Sequence, residues 1–311
     1  MARAVLAVTL AGPLVTVQDA GRPGLMRFGV PASGPMDRTS FAVANAALGN
    51  PLAAPGIEIS IGGLSLECVE GEVSLACTGG GFHLEIDGTA LGSWAVASLK
   101  AGSRLTIRPG FWGSWAYLAL AGRLQASAWL GSLATHGPSG FGGGRLVPGR
   151  MLVIEGAELR EGREGPIRSP VTARPRQSVR VVLGPQDRFF APATVERLVS
   201  EPFALTTAYD RMGVRLHGPP LPVAAKLDMP SEPIARGSIQ VSGDGVATVL
   251  LADHQTTGGY PKIATMIGDD LDGFVQLRSR QTVTFRRVSP AQAIEAARTR
   301  ARVFADYLAR F

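Results

Sequence analysis

Cysteine, histidine and lysine are all scarce in this chain of 311 residues. The two cysteines, Cys68 and Cys77, lie in apolar strand-like runs without CxxC spacing, which argues against a disulfide framework or a zinc motif and for buried thiols. The four histidines, His83, His136, His217 and His254, are scattered, so no metal is expected. No apolar run reaches the ~20 residues that a membrane helix needs, and no membrane association is expected. GxxxxGK[ST], GxSxG and HExxH are all missing, so a P-loop ATP site, a hydrolase elbow and a zinc-protease motif are not expected. The glycine runs at 78–81 and 140–144 do not match GxGxxG and read as turns or bulges. No lysine has methionine on both sides, so nothing resembles a biotin-attachment site. Only Lys100, Lys226 and Lys262 among the 31 basic residues are lysines. The net charge is +6, but the arginines are spread along the chain without a nucleic-acid motif. Anionic small substrates suit that charge, and a nucleic-acid partner is not expected.

With 45% hydrophobic and 18% charged residues, the composition supports a sizeable core, and the length favours two domains. The opening "MARAVLAVTLAGPLV" has the flavour of a leader peptide, yet it runs into "TVQDAGRPG" with recurrent β-branched residues. It reads as a first strand, and a cytoplasmic location is expected. Strands are predicted at 57–61, 65–69, 73–78, 83–86, 104–108 and 116–121, between Gly-rich breakers, and another at 179–183. This spacing predicts a mainly β fold of the barrel or sandwich kind. Helices are predicted at 41–48, capped by Asp37 and stopped by Gly49, and at 193–200. A terminal amphipathic helix starts with Ser289 as N-cap and Pro290 at its first position. Its stripe of Ile294, Ala297, Ala301, Phe304, Leu308 and Phe311 suits packing on its own barrel or docking to a partner. The polar, Pro-containing segment 157–177 predicts a boundary between domains at 1–165 and 176–311.

Four segments are too polar for core and too punctuated by Gly and Pro for regular structure. The first, "TVQDAGRPG", carries Gln18, Asp19 and Arg22; the second, "GVPASGPMDR", carries Ser33, Asp37 and Arg38. The third, "YDRMGVRL", carries Asp210 and Arg211. The fourth joins "SEPIARGSIQV", with Glu232 and Gln240, to "DHQTTGGYPKIATM". That last run holds Asp253, Gln255, Thr257, Gly258, Gly259, Tyr260 and Lys262. Each Asp-Arg pair suits a salt bridge or a helix cap as well as a site. Lys262 stands apart. Pro261 stiffens the turn, the two glycines admit a close ligand, and the lysine suits an anion or, once desolvated, proton transfer.

Taken in order, "TVQDAGRPG", "GVPASGPMDR" with Asn45 and Glu58 following, "DRMGVRL" and "LLADHQTTGGYPKIATM" resemble the biotin-dependent carboxyltransferase or allophanate hydrolase subunit 2 family. That family includes the C component of bacterial 5-oxoprolinase, an antagonist of a sporulation-kinase inhibitor, and part of the urea carboxylase carboxyltransferase domain. The resemblance runs from about Leu6 to Val288. It implies two cyclophilin-like β-barrel units and partner A and B subunits. It also implies a small amide substrate such as 5-oxoproline, with ATP bound by or shared with a partner, and possible biotin on a separate carrier. Its motif positions fall on Gln18, Asp19, Arg22, Ser33, Asp37, Arg38, Asp210, Arg211, Glu232, Gln240, Asp253, Gln255, Thr257, Tyr260 and Lys262. On this resemblance Lys262, Glu232 and Asp210 are candidate catalytic residues, and the others, with Gly258 and Gly259, candidate substrate-binding residues. Alternatives to the oxoprolinase role are a carboxyltransferase component of a urea carboxylase system and a non-catalytic regulator. Tyr209 and Pro233 depart from residues common in the family and would reshape a pocket edge.

Overall fold

Alternating apolar residues and frequent glycine turns produce many short strands, as the computed structural model of the chain describes for residues 2–224 and 229–311. Lys226 lies outside these described residues. By its internal contacts the chain forms two units. The first comprises Met1–Arg22, Ser33–Arg174 and Leu308–Phe311, and the second Pro23–Ala32 and Pro175–Tyr307.

The first unit contains strands β1 (Arg3–Ala11), β2 (Thr16–Gln18), β3 (Gly56–Ser60), β4 (Leu64–Glu70), β5 (Glu72–Thr78), β6 (His83–Ile86) and β7 (Thr89–Gly92). It continues with β8 (Ala95–Lys100), β9 (Arg104–Arg108), β10 (Trp115–Leu120), β11 (Arg123–Leu124), β12 (Met151–Glu155) and β13 (Gly165–Pro166). They make a seven-stranded sheet, ordered β11-β12-β1-β4-β9-β6-β7, and a six-stranded sheet, ordered β13-β8-β5-β10-β3-β2. Helix α1 (Arg38–Leu48) packs against β5 and β10. Asp37 caps it by accepting from the Ser40 amide, and Gly49 ends it in the left-handed conformation that glycine adopts without strain. The opening segment is strand β1, and both cysteines are free and buried.

The second unit contains β14 (Ser178–Leu183), α2 (Pro192–Ser200), β15 (Phe203–Tyr209), β16 (Gly213–His217), β17 (Glu232–Pro233) and β18 (Ser238–Val241). β19 (Ala247–Leu250), β20 (Thr257–Gly258), β21 (Lys262–Met266), α3 (Gly268–Val275), β22 (Thr282–Arg287) and α4 (Pro290–Leu308) follow. Seven strands close a barrel in the order β14-β21-β18-β19-β16-β15-β22. All its described pairings are antiparallel except β14 with β22, which run parallel. Val179, Val181, Phe203, Leu205, Val214, Ile239, Val249 and Phe285 are buried and supply its apolar core. A two-residue ribbon, β17 against β20, stands apart from the barrel ladder.

Helix α3 lay outside the sequence expectations. Its two glycines and three aspartates resemble a turn, but Asp269 and Asp270 stand in the first turn, where the helix dipole favours negative charge. Asp270 is fully buried and takes Arg180 in a two-pronged pair at 2.7 and 2.9 Å, with Arg176 at 3.2 Å. Helix α4 begins with a reciprocal capping box. The Ser289 hydroxyl accepts from the Gln292 amide at 3.2 Å, and the Gln292 side chain accepts from the Ser289 amide at 2.9 Å. Its apolar stripe is less enclosed than packing on the barrel requires: no residue of α4 is buried, and Ile294 is 54% exposed. No helix among the described residues is long and apolar enough to cross a membrane.

Candidate functional site

Lys262 opens β21 immediately after Pro261, and its side chain is 1% exposed. The Nζ atom is buried without a hydrogen-bond partner among the described residues. Burial pushes the ammonium's pKa down, and the nearby Glu232 carboxylate pulls it partly back. The two charges nevertheless form no ion pair among the described residues. A buried cation left in this condition is costly, and such a cost is common where a ligand completes the shell.

Gln186 is hydrogen-bonded to both residues. Gln186, which follows the Gly184-Pro185 turn after β14, is 1% exposed. Its backbone amide donates to the Lys262 carbonyl at 3.1 Å, and its Oε1 accepts from the Lys262 amide at 3.0 Å. With Oε1 so committed, Nε2 faces Glu232 and donates to Oε2 of that carboxylate. Glu232 lies on β17, opposite Gly258 of β20. Gly258 in turn brings backbone close to two side-chain amides: a Cβ there would stand 3.4 Å from Gln240 Nε2 and 3.5 Å from Gln255 Nε2. Gln255 Nε2 donates to Gln240 Oε1 at 3.2 Å, and Gln240 stands opposite Lys262 in the β18–β21 ladder, where the register shifts. Inside the second unit, then, Gln186 joins Lys262 to Glu232, Gln240 and Gln255 pair with each other, and strand register with the backbone of Gly258 brings the two groups together.

Beside this cluster opens a cavity of about 650 Å³ whose wall includes Tyr209, Asp210, Arg215, Gln240, Gln255 and Tyr260. Lys262 is not part of this wall; the cluster meets the cavity through Gln240 and Gln255. Tyr260 is half exposed at the edge. Tyr209 is fixed by donating its hydroxyl to the Val275 carbonyl at 2.6 Å. The carboxylate of Asp210 accepts from the amides of Met212 and Gly213 at 2.8 and 3.1 Å, which shapes the turn before β16. Thr257 and Gly259 are exposed on and beside the ribbon.

Arg211 and Asp253 lie outside the cavity wall and form a buried ion pair, Nε to Oδ2 at 2.9 Å and Nη2 to Oδ1 at 3.1 Å. The pair ties the turn before β16 to the loop after β19, and the Asp253 amide donates to the Arg211 carbonyl at 2.8 Å. His254, 4% exposed, donates from Nδ1 to the Gln255 carbonyl at 2.7 Å. Burial lowers its pKa, so the neutral ring is favoured.

The remaining predicted positions are in the first unit. Gln18 donates from Nε2 to the Thr16 hydroxyl at 3.0 Å and the Thr135 carbonyl at 3.1 Å. Asp19 accepts from the Gly21 amide at 2.8 Å and from the Ser132 hydroxyl and the Leu133 amide, both at 2.6 Å. Arg22 donates to the carbonyls of Trp129 and Ala134 and lies 4.7 Å from the Trp129 ring centroid. Ser33 is buried with φ 54°, a left-handed conformation uncommon for serine. Asp37 caps α1, and Arg38 is exposed at its first position. Glu58 gathers this region: its Oε2 accepts from the Met36 amide at 2.7 Å and from the Tyr117 hydroxyl at 2.9 Å. The Tyr117 oxygen accepts from the Asp37 amide at 2.7 Å. Burial, reinforced by the Glu58 and Asp37 charges, raises the Tyr117 phenol well above its ordinary pKa.

Gln186 escaped the sequence reading. "GPQD" looks like a plain turn, and the one available signal was a long polar side chain directly after a Gly-Pro stop to a buried strand. No group of three or more metal-ligating side chains occurs among the described residues.

Comparison with known proteins places this geometry in a family. The chain is 32% identical to the C component of 5-oxoprolinase from Escherichia coli, covering 96% of both chains. It is 33% identical to urea amidolyase of Saccharomyces cerevisiae, covering 86% of this chain but 15% of that protein. The crystal structure of TTHA0988 superposes with a TM-score of 0.81 at 32% identity, covering 91% of this chain and 55% of that one, so this chain spans about half its length. The fold also matches the urea amidolyase of K. lactis, with a TM-score of 0.88 over 99% of this chain and 20% of that chain, at 24% identity. The family model described as "Carboxyltransferase domain, subdomain A and B" matches residues 28–287, and the chain belongs to that family.

Proposed function

We propose that this chain is the C component of an ATP-dependent 5-oxoprolinase-type amide hydrolase, converting 5-oxoproline to glutamate in the cytoplasm and active only with partner subunits. The observation that carries this reading is the buried ammonium of Lys262, unpartnered among the described residues, near Glu232 and across the β18–β21 ladder from Gln240, which lines the cavity. Such a cation fits an anionic group, either a substrate carboxylate or the charge that develops when an amide is activated. Gln240 and Gln255 spend one donor and one acceptor on each other, which leaves amide groups able to meet a planar amide of the substrate. Asp210, Arg215 and Tyr260 frame the cavity. The chain has no P-loop, and ATP is assigned to a site bound by or shared with a partner subunit. The names of the bacterial relatives, matched over nearly their whole length, support the same reading.

The test is ATP-dependent glutamate release from 5-oxoproline, with the chain co-expressed beside candidate A and B subunits and each omitted in turn. Activity should vanish without this chain, and Lys262→Ala should abolish it in an assembled complex. Full activity of that variant would sink the assignment of Lys262. A second reading, the carboxyltransferase component of a urea carboxylase system with biotin on a separate carrier, is favoured by the yeast urea amidolyase similarity. A biotinylated protein that co-purifies and is detected with streptavidin would support it.

A further inference from the structure

The amide of Gln186 has a specific task in the cluster. We infer that Gln186 is a positioning residue: by holding the Glu232 carboxylate and the Lys262 backbone together, it keeps the Lys262 ammonium unpaired for an incoming anion. The inference rests on the reading of Lys262 as the anion-binding group. Three bonds carry it. Two fix Gln186 to the main chain of Lys262, at 3.1 and 3.0 Å, so the side-chain amide has one orientation. The third, from Nε2, occupies Oε2 of Glu232. Glu232 is near enough to act on the ammonium electrostatically, yet no ion pair forms between them among the described residues. A carboxylate released from Gln186 would turn to the ammonium that already feels its charge. The ligand site would then be filled from within.

The charged and titratable groups on segments next to Lys262 are Glu232 on β17, Arg180 on β14, Asp187 and Arg188 directly after Gln186, and Tyr260 before β21. Gln240, opposite on β18, is neutral. Of these groups Glu232 is the one whose charge bears on Lys262.

The experiment is ¹⁵N NMR titration of the lysine Nζ groups in the full chain. With three lysines in the sequence, the signals are few enough to assign by substitution. Gln186→Met keeps the length and loses both side-chain bonds. It should move the Lys262 titration up by about one pH unit, as an opposite charge at contact distance does. The same substitution in a Glu232→Gln background should leave the titration where Glu232→Gln alone puts it. An unmoved titration in Gln186→Met, or an equal upward shift without the Glu232 carboxylate, overturns the inference. If Gln186→Met does not fold, Glu232→Ala provides the second measurement. The Gln186 side-chain amide protons should then exchange at least about tenfold faster with solvent, as loss of ~1.4 kcal/mol of protection implies; unchanged exchange overturns the inference. None of these readouts needs turnover, so they stand apart from the oxoprolinase reading. In an active complex Gln186→Met should also raise KM for the anionic substrate more than it lowers kcat.

Discussion

Replacing Lys262 with methionine should stabilise the second unit. The lysine stem is packed and 1% exposed, so a methionine of similar length retains most of the buried apolar surface. What disappears is an ammonium with no partner among the described residues. An unsatisfied buried polar group costs about 1–3 kcal/mol, and a charged one more. Glu232 offsets part of that cost, so a net gain of ~2 kcal/mol is expected. Hydrogen exchange of the β18 and β21 amides reports it locally, and 2 kcal/mol corresponds to exchange roughly 30-fold slower in the variant. The pH dependence supplies the sign. Lys262 has a lowered pKa in the folded state, so between that value and the ordinary lysine range the unfolded chain binds more protons. Wild-type stability therefore rises with pH through this window, as the buried charge is lost. The gap between variant and wild type should be widest below the window and should narrow through it. Faster exchange in Lys262→Met, or a gap that widens in alkali, would refute the reasoning.

Other expectations concern the polar networks that brace each unit. Tyr117→Phe removes a hydroxyl that serves both Glu58 and the Asp37 amide, and it should cost about 1–3 kcal/mol. All four tryptophans lie in the first unit, so tryptophan emission during urea unfolding can follow that loss. In wild type, Tyr117 should stay un-ionised in alkali until the first unit opens, as ultraviolet titration would record. Asp253→Asn breaks a buried ion pair and should cost about 3–5 kcal/mol, measured by denaturation of the second unit. Replacing Arg211 and Asp253 together with Met and Leu should cost clearly less than the single change, because no lone charge is left buried.

Much of the architecture could be read from the sequence, for local reasons. Strands β6 and β9 have the bounds predicted from the glycine-containing breakers around them. Helices α1 and α4 are marked by caps whose chemistry sits within four residues, Asp37 with Ser40 and Ser289 with Gln292. Helix α3 could not be read this way, because the arginines that satisfy its buried Asp270 lie about 90 residues earlier. The barrel order was equally hidden. Its closure joins β14 to β22, and each strand's partner is set by tertiary packing rather than by its own pattern.

The candidate site divides along the same line. Lys262 could be picked out because a rare residue type follows Gly-Gly-Tyr-Pro, a backbone run with little use in a core. Its setting could not, since its backbone is held by Gln186, 76 residues earlier, and the charge that acts on its ammonium comes from Glu232 on a separate ribbon. Arg211 and Asp253 show the converse. Both carry motif-like chemistry in the sequence, yet each is consumed by the other in a buried pair. A charged residue therefore signals function when the fold leaves it unmatched at an energetic cost. By that criterion Lys262, with its carboxylate neighbour held away by an amide, is the strongest candidate in the second unit. The ion pair of Arg211 and Asp253 is the frame that holds the loop leading to it.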